Sequence, residues 1–281
     1  MALSPLDPAQ YRDLVRQALA EDCAGADVTT RAIIDPSQRG RGRLIAKAPC
    51  TLAGLPLAIE SFVQLDPDAA ATVSFNDGDD CPEGAAIAEV VGRASALLAA
   101  ERTALNLLQR LSGIATLARA FVRASGGAVT ILDTRKTTPL LRTVEKYAVR
   151  IGGATNHRMS LGDGVLIKDN HIALAGGITR AVGRIKASAV SLPVEVEVET
   201  LEQVDEALDA GADILLLDNM TTANIAEAVR RSRGRAKTEV SGGVTLDRIS
   251  AIAACRPDFV SIGALTHTAP AIDISFDIEP V

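Results

Sequence analysis

The stretch LPVEVEVETLEQVDEALDAGADILLLDN, Leu192–Asn219, alternates with period two, changes to helical spacing and closes on a short apolar run. Period two over Val194–Glu199 predicts a strand, LEQVDEALDAG a helix, and ADILLLDN a second strand. Strand, helix, strand in that order predicts a parallel βαβ unit. The same rhythm extends both ways from about Ala128, through AVTILDT, GVLIKD, KTEVSGG and DFVSIGA, with TTANIAEAVRRS between two of them. The apolar runs recur roughly every 20–36 residues. At least six such units without a dinucleotide-binding glycine fingerprint favour a barrel over an open sheet. Six is fewer than the eight of a full TIM barrel, so the expected fold is an incomplete TIM-like α/β barrel of about six parallel strands.

Residues before about Ala100 read differently. Short segments are broken by Gly, Pro and Asp. Pro8–Ala20 is amphipathic, with Tyr11, Leu14, Val15, Ala18 and Leu19 on one face. RGRLIAKAPCTLAGL, TVSFNDGDD and AAIAEVVGRA have strand character, and Leu55–Leu65 has helical spacing. These predict an N-terminal α+β sandwich domain with a mainly antiparallel sheet. A long helical pattern, LLAAERTALNLLQRLSGIATLARAFVRA, follows it. The expected division is 1–112 for the sandwich and 113–268 for the barrel, with the tail 269–281 packing back on the first domain.

The 281 residues are 47% apolar, 23% charged and 2% aromatic, with no tryptophan and a net charge of −6. The core must be aliphatic, and stacking platforms for single-stranded nucleic acid are lacking. The acidic balance argues against a nucleic-acid or membrane surface, so an anionic ligand needs a local cationic cluster. Cys23, Cys50, Cys81 and Cys255 are widely separated, without a CxxC pair or metal spacing. With no signal peptide and no apolar run near the ~18 residues of a membrane span, the expected setting is cytoplasmic.

What ends each barrel strand points to function. The ends read Thr134–Arg135–Lys136, Lys168–Asp169–Asn170, Glu197 with Glu199, Asp218–Asn219, Ser241–Gly242–Gly243 and Ser261–Ile262–Gly263. Barrel sites form at strand C-termini, because the βα loops converge there. Arg135 suits bidentate contact with a carboxylate or phosphate, and Lys136 acts as a point charge. Pro139 suits the first turn of a helix through LLRTVEKYAV. Carboxylates inside a barrel repel unless cations pair with them, and Arg135, Lys136, Arg158 and Lys168 are the candidates. Glu197 and Asp218 suit Mg²⁺, directly or through water, or sugar hydroxyls. Ser241–Gly243 before VTLDRISAIAA, and SIGALTH after DFV, have the small residues of phosphate sites at helix starts. Glu101–Arg102 reads by itself as an exposed helical ion pair.

EDCAGADVTT, AERTALNLLQRLSGIAT, DTRKTTPLLR, EKYAVRIGGATNHR, LGDGVLIKDNHI, VEVEVETLEQ, LLLDNM, VSGGVT and SIGALTH run in order from Glu21 to His267. Together they resemble the quinolinate phosphoribosyltransferase family, also called carboxylating nicotinate-nucleotide pyrophosphorylases. The resemblance implies that quinolinate and phosphoribosyl pyrophosphate give nicotinate mononucleotide, pyrophosphate and CO₂ on the way to NAD. It implies that Arg135, His157, Arg158 and Lys168 line the quinolinate site, that Thr134 binds substrate beside them, and that Lys136 meets pyrophosphate or ring carboxylates. Lys136, Lys168, Glu197 and Asp218 carry the chemistry in this reading, with Mg²⁺ and ribose hydroxyls held by Glu197 and Asp218. Ser241, Gly242 and Gly243, with Ser261, Ile262 and Gly263, are left for the 5-phosphate. The resemblance also implies a homodimer in which Arg102 reaches the neighbouring subunit's site. His171 and His267 receive no role.

Leu140 replaces a glycine common in the family after TTP, and Ile151, Ala154 and Ser160 replace residues often Cys, Gly and Gly. None of these changes removes a charge. A Schiff-base lyase using Lys168, or a non-catalytic relative, would share parts of this pattern. Intact TRKTTP and NHR…IKDNH favour the transferase.

Overall fold

The computed structural model of the chain describes residues 5–281. Residues 1–4, counted in the expected first domain, lie outside the described residues. The chain opens with helices α1 (Arg12–Glu21) and α2 (Val28–Ile33), then strands β1 (Arg39–Ala46) and β2 (Cys50–Thr51). Helix α3 (Leu55–Leu65) precedes β3 (Ala70–Val73), β4 (Asp80–Cys81) and β5 (Ala86–Arg93). Helix α4 (Ala94–Ala124) leads to β6 (Thr130–Leu132) and α5 (Arg142–Ile151). Next come β7 (Val165–Ile167), α6 (Asp169–Ala175), α7 (Ile178–Lys186) and β8 (Val194–Val198). They are followed by α8 (Leu201–Ala210), β9 (Ile214–Asp218), α9 (Thr222–Ser232) and β10 (Lys237–Ser241). Helix α10 (Ile249–Ala254), β11 (Phe259–Ser261), α11 (Ala264–His267) and β12 (Ile274–Pro280) complete the chain.

Two compact units divide these elements. One contains residues up to Arg119 together with Thr138–Gly153 and Thr268–Val281, the other Ala120–Thr137 and Ala154–His267. In the first unit a four-stranded antiparallel sheet has the order β12-β1-β5-β3. The C-terminal residues return to this sheet as its edge strand, held also by the Gln109 amide nitrogen on the Ile274 carbonyl at 2.8 Å. Within the unit, helix α4 buries Leu97, Ala100, Ala104, Leu108, Leu111, Ala115 and Ala118, each at most 1% exposed. Steps of three and four residues put them on one face. Small residues dominate that face, and the chain packs close against it: a Cβ on Gly113 would lie 2.0 Å from the Pro270 carbonyl oxygen. Cys50 and Cys81, distant in sequence, stand opposite each other in the β2–β4 pairing as buried free thiols.

Glu145 on α5 is the polar centre of this unit. It is fully buried and accepts from Arg110 Nη2 at 2.9 Å, the Thr138 amide at 3.0 Å and Thr138 Oγ1 at 2.8 Å. The turn after Thr138 corrects the expected helix start at Pro139. Helix α5 begins at Arg142, and the Leu141 amide bonds the Thr138 carbonyl at 3.1 Å. Pro139 and Leu140 fill the two central positions, with Leu140 at φ +69°. Proline followed by a left-handed residue is the arrangement of a type II turn, where glycine is the favoured third residue.

The second unit is the parallel one. Its six-stranded sheet has the order β6-β11-β10-β9-β8-β7, all parallel, two strands short of a full TIM barrel. Thr155 adds a single parallel bridge to Leu132 at the β6 edge. The Leu192–Asn219 stretch folds as read. Helix α8 is fenced by Thr200, whose side chain caps the Gln203 amide, and by Gly211 at φ +80°. In β8, Val194, Glu195, Val196 and Val198 are all buried. Parallel strands are covered on both faces, so the alternating glutamates point inward rather than to solvent.

Leu140 is 90% exposed, so its side chain contributes no packing to offset the left-handed backbone. That conformation costs a non-glycine residue about 1–2 kcal/mol, against about 0.5–1 kcal/mol of extra chain entropy lost by glycine. Leu140→Gly is therefore expected to stabilise by roughly 0.5–1 kcal/mol, read as a raised urea midpoint at unchanged slope. A lowered midpoint would mean that Leu140 makes a stabilising contact.

Candidate active site

The C-terminal ends of the six parallel strands line a cleft of about 610 Å³, within the usual range for small-molecule sites. Following the sheet order sorts its chemistry into sectors. Lys168 follows β7, Glu197 lies in β8 and Asp218 ends β9. Ser241–Gly243 follow at β10, Ser261–Gly263 at β11, and Thr134, Arg135 and Lys136 past β6. His157 and Arg158 enter from the loop between β6 and β7. Cations therefore occupy the two edges of the sheet order, carboxylates the middle on one side, and small residues the remainder.

Each sector is held by local hydrogen bonds. Thr134 Oγ1 accepts from the Lys136 amide at 3.0 Å, and Thr266 Oγ1 donates to the Lys136 carbonyl at 2.7 Å. Arg158 Nη1 donates to the Gly164 carbonyl at 2.8 Å. His171, given no role from the sequence, accepts the Lys168 amide on Nδ1 at 3.0 Å and so fixes the first turn of α6. Lys168 Nζ lies 3.9 Å from Glu197 Oε2 and is 47% exposed, a loose pair that leaves the ammonium open to a ligand.

Gly242 and Gly243 have φ of +84° and +55°. A Cβ on Gly242 would lie 2.3 Å from Asn219 Oδ1, so the loop closes against β9 only with glycine there. The expected helix start behind this loop is displaced: α10 begins at Ile249, after a further turn. Ser261–Gly263 do run directly into α11, and a Cβ on Gly263 would lie 3.1 Å from both Lys136 Cδ and His267 Nε2. His267 thereby lines the cleft.

The charges are unbalanced locally. Burial, and then the neighbouring Arg135 charge, hold Arg158 below the usual guanidinium range. Two guanidiniums gathered in one cleft make a strong anion site. Burial raises the Glu197 pKa, Lys168 opposes, and Asp218, Asp169 and Glu199 add to the rise. Glu199 itself is exposed beyond the strand end.

Of three groups that the strand-end reading passed over, Asp133 and Glu239 line the cleft and Glu195 is buried beside His157. Asp133 is fully buried, accepting from the His157 amide at 2.8 Å and Asn156 Nδ2 at 2.6 Å. Glu195 and Glu239, buried within β8 and β10, face His157 Nε2 at 3.3 and 3.5 Å. Burial alone would lower the His157 pKa, but these two carboxylates outweigh it and raise it to about 10. Burial first, and then the Glu239 charge, raise the Glu195 pKa, with His157 and Arg158 opposing. Charged residues in the interior of VEVEV and KTEV were the available sequence signal. Arg102 does not line the cleft; it is exposed on α4 in the first unit.

Residues 27–112 match the N-terminal domain, and residues 114–277 the C-terminal domain, of quinolinate phosphoribosyl transferase. The probable nicotinate-nucleotide pyrophosphorylase (carboxylating) of Bacillus subtilis (strain 168) is 41% identical over 271 residues, covering 96% of this chain and 93% of that protein. The nicotinate-nucleotide pyrophosphorylase (carboxylating) of Mycobacterium leprae (strain TN) is 40% identical over 274 residues, covering 95% and 96%. The solved nicotinate-nucleotide pyrophosphorylase from Francisella tularensis superposes with a TM-score of 0.92 at 40% identity, covering 99% of both chains. With both domains matched in order along one chain, and relatives similar over nearly all of it, this protein belongs to the quinolinate phosphoribosyltransferase family.

Proposed function

We propose that this chain transfers the phosphoribosyl group of phosphoribosyl pyrophosphate to quinolinate with decarboxylation, giving nicotinate mononucleotide, pyrophosphate and CO₂ in NAD biosynthesis. Family membership supports the reaction class. The observation that carries it onto this cleft is the gathering of Arg135, Lys136, Arg158 and Lys168 around one pocket in a chain of net charge −6. Quinolinate brings two adjacent carboxylates, and its co-substrate a 5-phosphate and a pyrophosphate.

In this reading Arg135, Arg158 and Lys168 bind the quinolinate carboxylates, with Thr134 and His157 completing that wall. Lys136 meets the pyrophosphate or a ring carboxylate. The Ser241–Gly243 and Ser261–Gly263 loops take the 5-phosphate. Glu197 and Asp218 bind ribose hydroxyls and Mg²⁺, directly or through water. Their oxygen-only donor set, with Glu197 made harder to ionise by burial and by Asp218, fits a hard divalent cation. Such an ion supplies charge neutralisation to the departing pyrophosphate.

The residues act mainly by holding two polyanions in reacting order. The pyridine nitrogen forms a bond to sugar C1 as the C1–oxygen bond to pyrophosphate breaks, its electron pair leaving with the pyrophosphate. Lys136 stabilises that charge. The resulting pyridinium draws in the electron pair released when the C2–carboxylate bond breaks, and a proton then replaces CO₂ at C2. Arg135 and Arg158 would orient the departing carboxylate. No residue need form a covalent bond to substrate.

Incubation with quinolinate, phosphoribosyl pyrophosphate and Mg²⁺ is expected to release CO₂ and nicotinate mononucleotide in equal amounts; no product from either substrate would refute the proposal. Arg158→Ala and Lys168→Ala are each expected to weaken quinolinate binding at least about 30-fold, the equivalent of about 2 kcal/mol. Calorimetry showing unchanged affinity in both variants would remove them from the site. The homodimer, with Arg102 supplied by a neighbouring copy of the chain in the cytoplasm, is part of the same proposal. Reassembled mixtures of Arg102→Ala and Lys168→Ala subunits should then regain activity that neither variant has alone, and failure to regain it would count against a shared site.

A further inference from the structure

The loops that leave β6 and β11 run side by side, because the two strands are neighbours in the sheet. Their ladder continues one step past β11, where the Ile262 amide donates to the Leu132 carbonyl at 2.9 Å. The loops meet again farther out, where Thr266 Oγ1 donates to the Lys136 carbonyl at 2.7 Å. Between the two contacts lie Thr134 and Arg135 on one side and Gly263 and Ala264 on the other, all lining the cleft.

Thr266 is fully buried. A helical threonine hydroxyl ordinarily donates back to its own helix, and the Gly263 carbonyl is 3.3 Å away. A hydroxyl has one proton, however, and the shorter distance makes the Lys136 carbonyl its main acceptor. The rest of Lys136 is held in keeping with that contact. Its amide donates to Thr134 Oγ1 at 3.0 Å. Its stem passes Gly263, where a Cβ would lie 3.1 Å from Lys136 Cδ. Gly263 does not have a positive φ, so room for that stem, rather than backbone conformation, is what glycine supplies here.

We propose that Thr266 is a positioning residue for Lys136, its buried hydroxyl fixing the backbone from which the lysine reaches into the cleft. Lys136 is exposed, and a free lysine chain loses much rotamer freedom when its ammonium meets a ligand. Fixing the peptide plane, and giving the stem a track beside Gly263, removes part of that loss before substrate arrives. One hydroxyl thereby ties the charge of Lys136 to the Ser261–Gly263 loop. The consequence for substrate binding rests on the proposed function, whereas the clamp on the loop does not.

Calorimetry on the intact protein tests it, with quinolinate as one titrant and phosphoribosyl pyrophosphate with Mg²⁺ as the other. Lys136→Ala identifies the titrant that Lys136 holds. Thr266→Val keeps the branched shape without the donor, and is expected to raise the Kd of that same titrant about tenfold. Thr266→Ser keeps the hydroxyl and should restore most of the affinity. In a Lys136→Ala background Thr266→Val should have little further effect, because the group it positions is gone. Hydrogen exchange at the Lys136 amide should be faster in Thr266→Val and unchanged in Thr266→Ser, with β8 and β9 protected as before. Unchanged affinities in Lys136→Ala or in Thr266→Val, an equal loss without Lys136, or no recovery with serine would each overturn the proposal. So would unchanged exchange at Lys136, or exchange that rises throughout the strands. A protein that binds neither titrant would refute the proposed function, and the clamp would then stand or fall on the exchange measurement.

Discussion

The register of one parallel sheet sets the level at which each of its strands ends, and the cleft depends on those levels agreeing. Glu197 pairs with Leu216, Asp218 with Ser241 and Ser261 with Leu132. Side chains alternate with period two, so a slip of one residue in β8 would turn Glu197 from the cleft and bring a valine into its place. The capped, glycine-terminated α8 and the Asp213 carboxylate, which accepts the Val194 amide at 2.8 Å, hold that register locally. Chemistry at the rim is thus inherited from packing below it.

The second constraint is electrostatic. Burial and the Arg135 charge disfavour the charge of Arg158, while Glu195 and Glu239 are buried in the strands beside His157. Isolated ions in a protein interior are costly, and arrangements of like charge persist where something compensates them. For Glu195 and Glu239 the compensation is the His157 ring, whose pKa they raise. Under the proposed function a substrate anion would compensate the guanidiniums, and a cation the Glu197–Asp218 pair. An arrangement of this kind binds by completing a charge pattern already half built.

Much of this was legible along the chain. The six apolar runs predicted the six parallel strands, because burial on both faces leaves an apolar signature in the strand itself. Polar residues at their C-terminal ends marked the cleft, because βα loops converge there. The reading failed where local pattern and tertiary demand diverge. Pro139 suits a helix start, yet the Glu145 carboxylate holds Thr138 and the chain turns through Leu140 before α5 begins. Glu239 in KTEV resembles an ordinary charged position on a half-exposed strand. Only the neighbouring β8 and the incoming NHR loop make it a buried partner of His157.

By itself, then, the sequence determined the alternation of strands and helices, the parallel topology and the cation-rich ends, since periodicity and strand-end chemistry are local properties. The ordered motifs also carried the family resemblance. Tertiary structure alone decided which groups meet: Cys50 with Cys81, Arg110 with Glu145, and His157 with two carboxylates from separate strands. These contacts join residues distant along the chain, and their chemistry appears only when burial removes water and leaves the partners to satisfy one another. His157 shows the difference most plainly. Its sequence neighbours suggested a contact to an anion, and only the fold sets two buried carboxylates 3.3 and 3.5 Å from its Nε2.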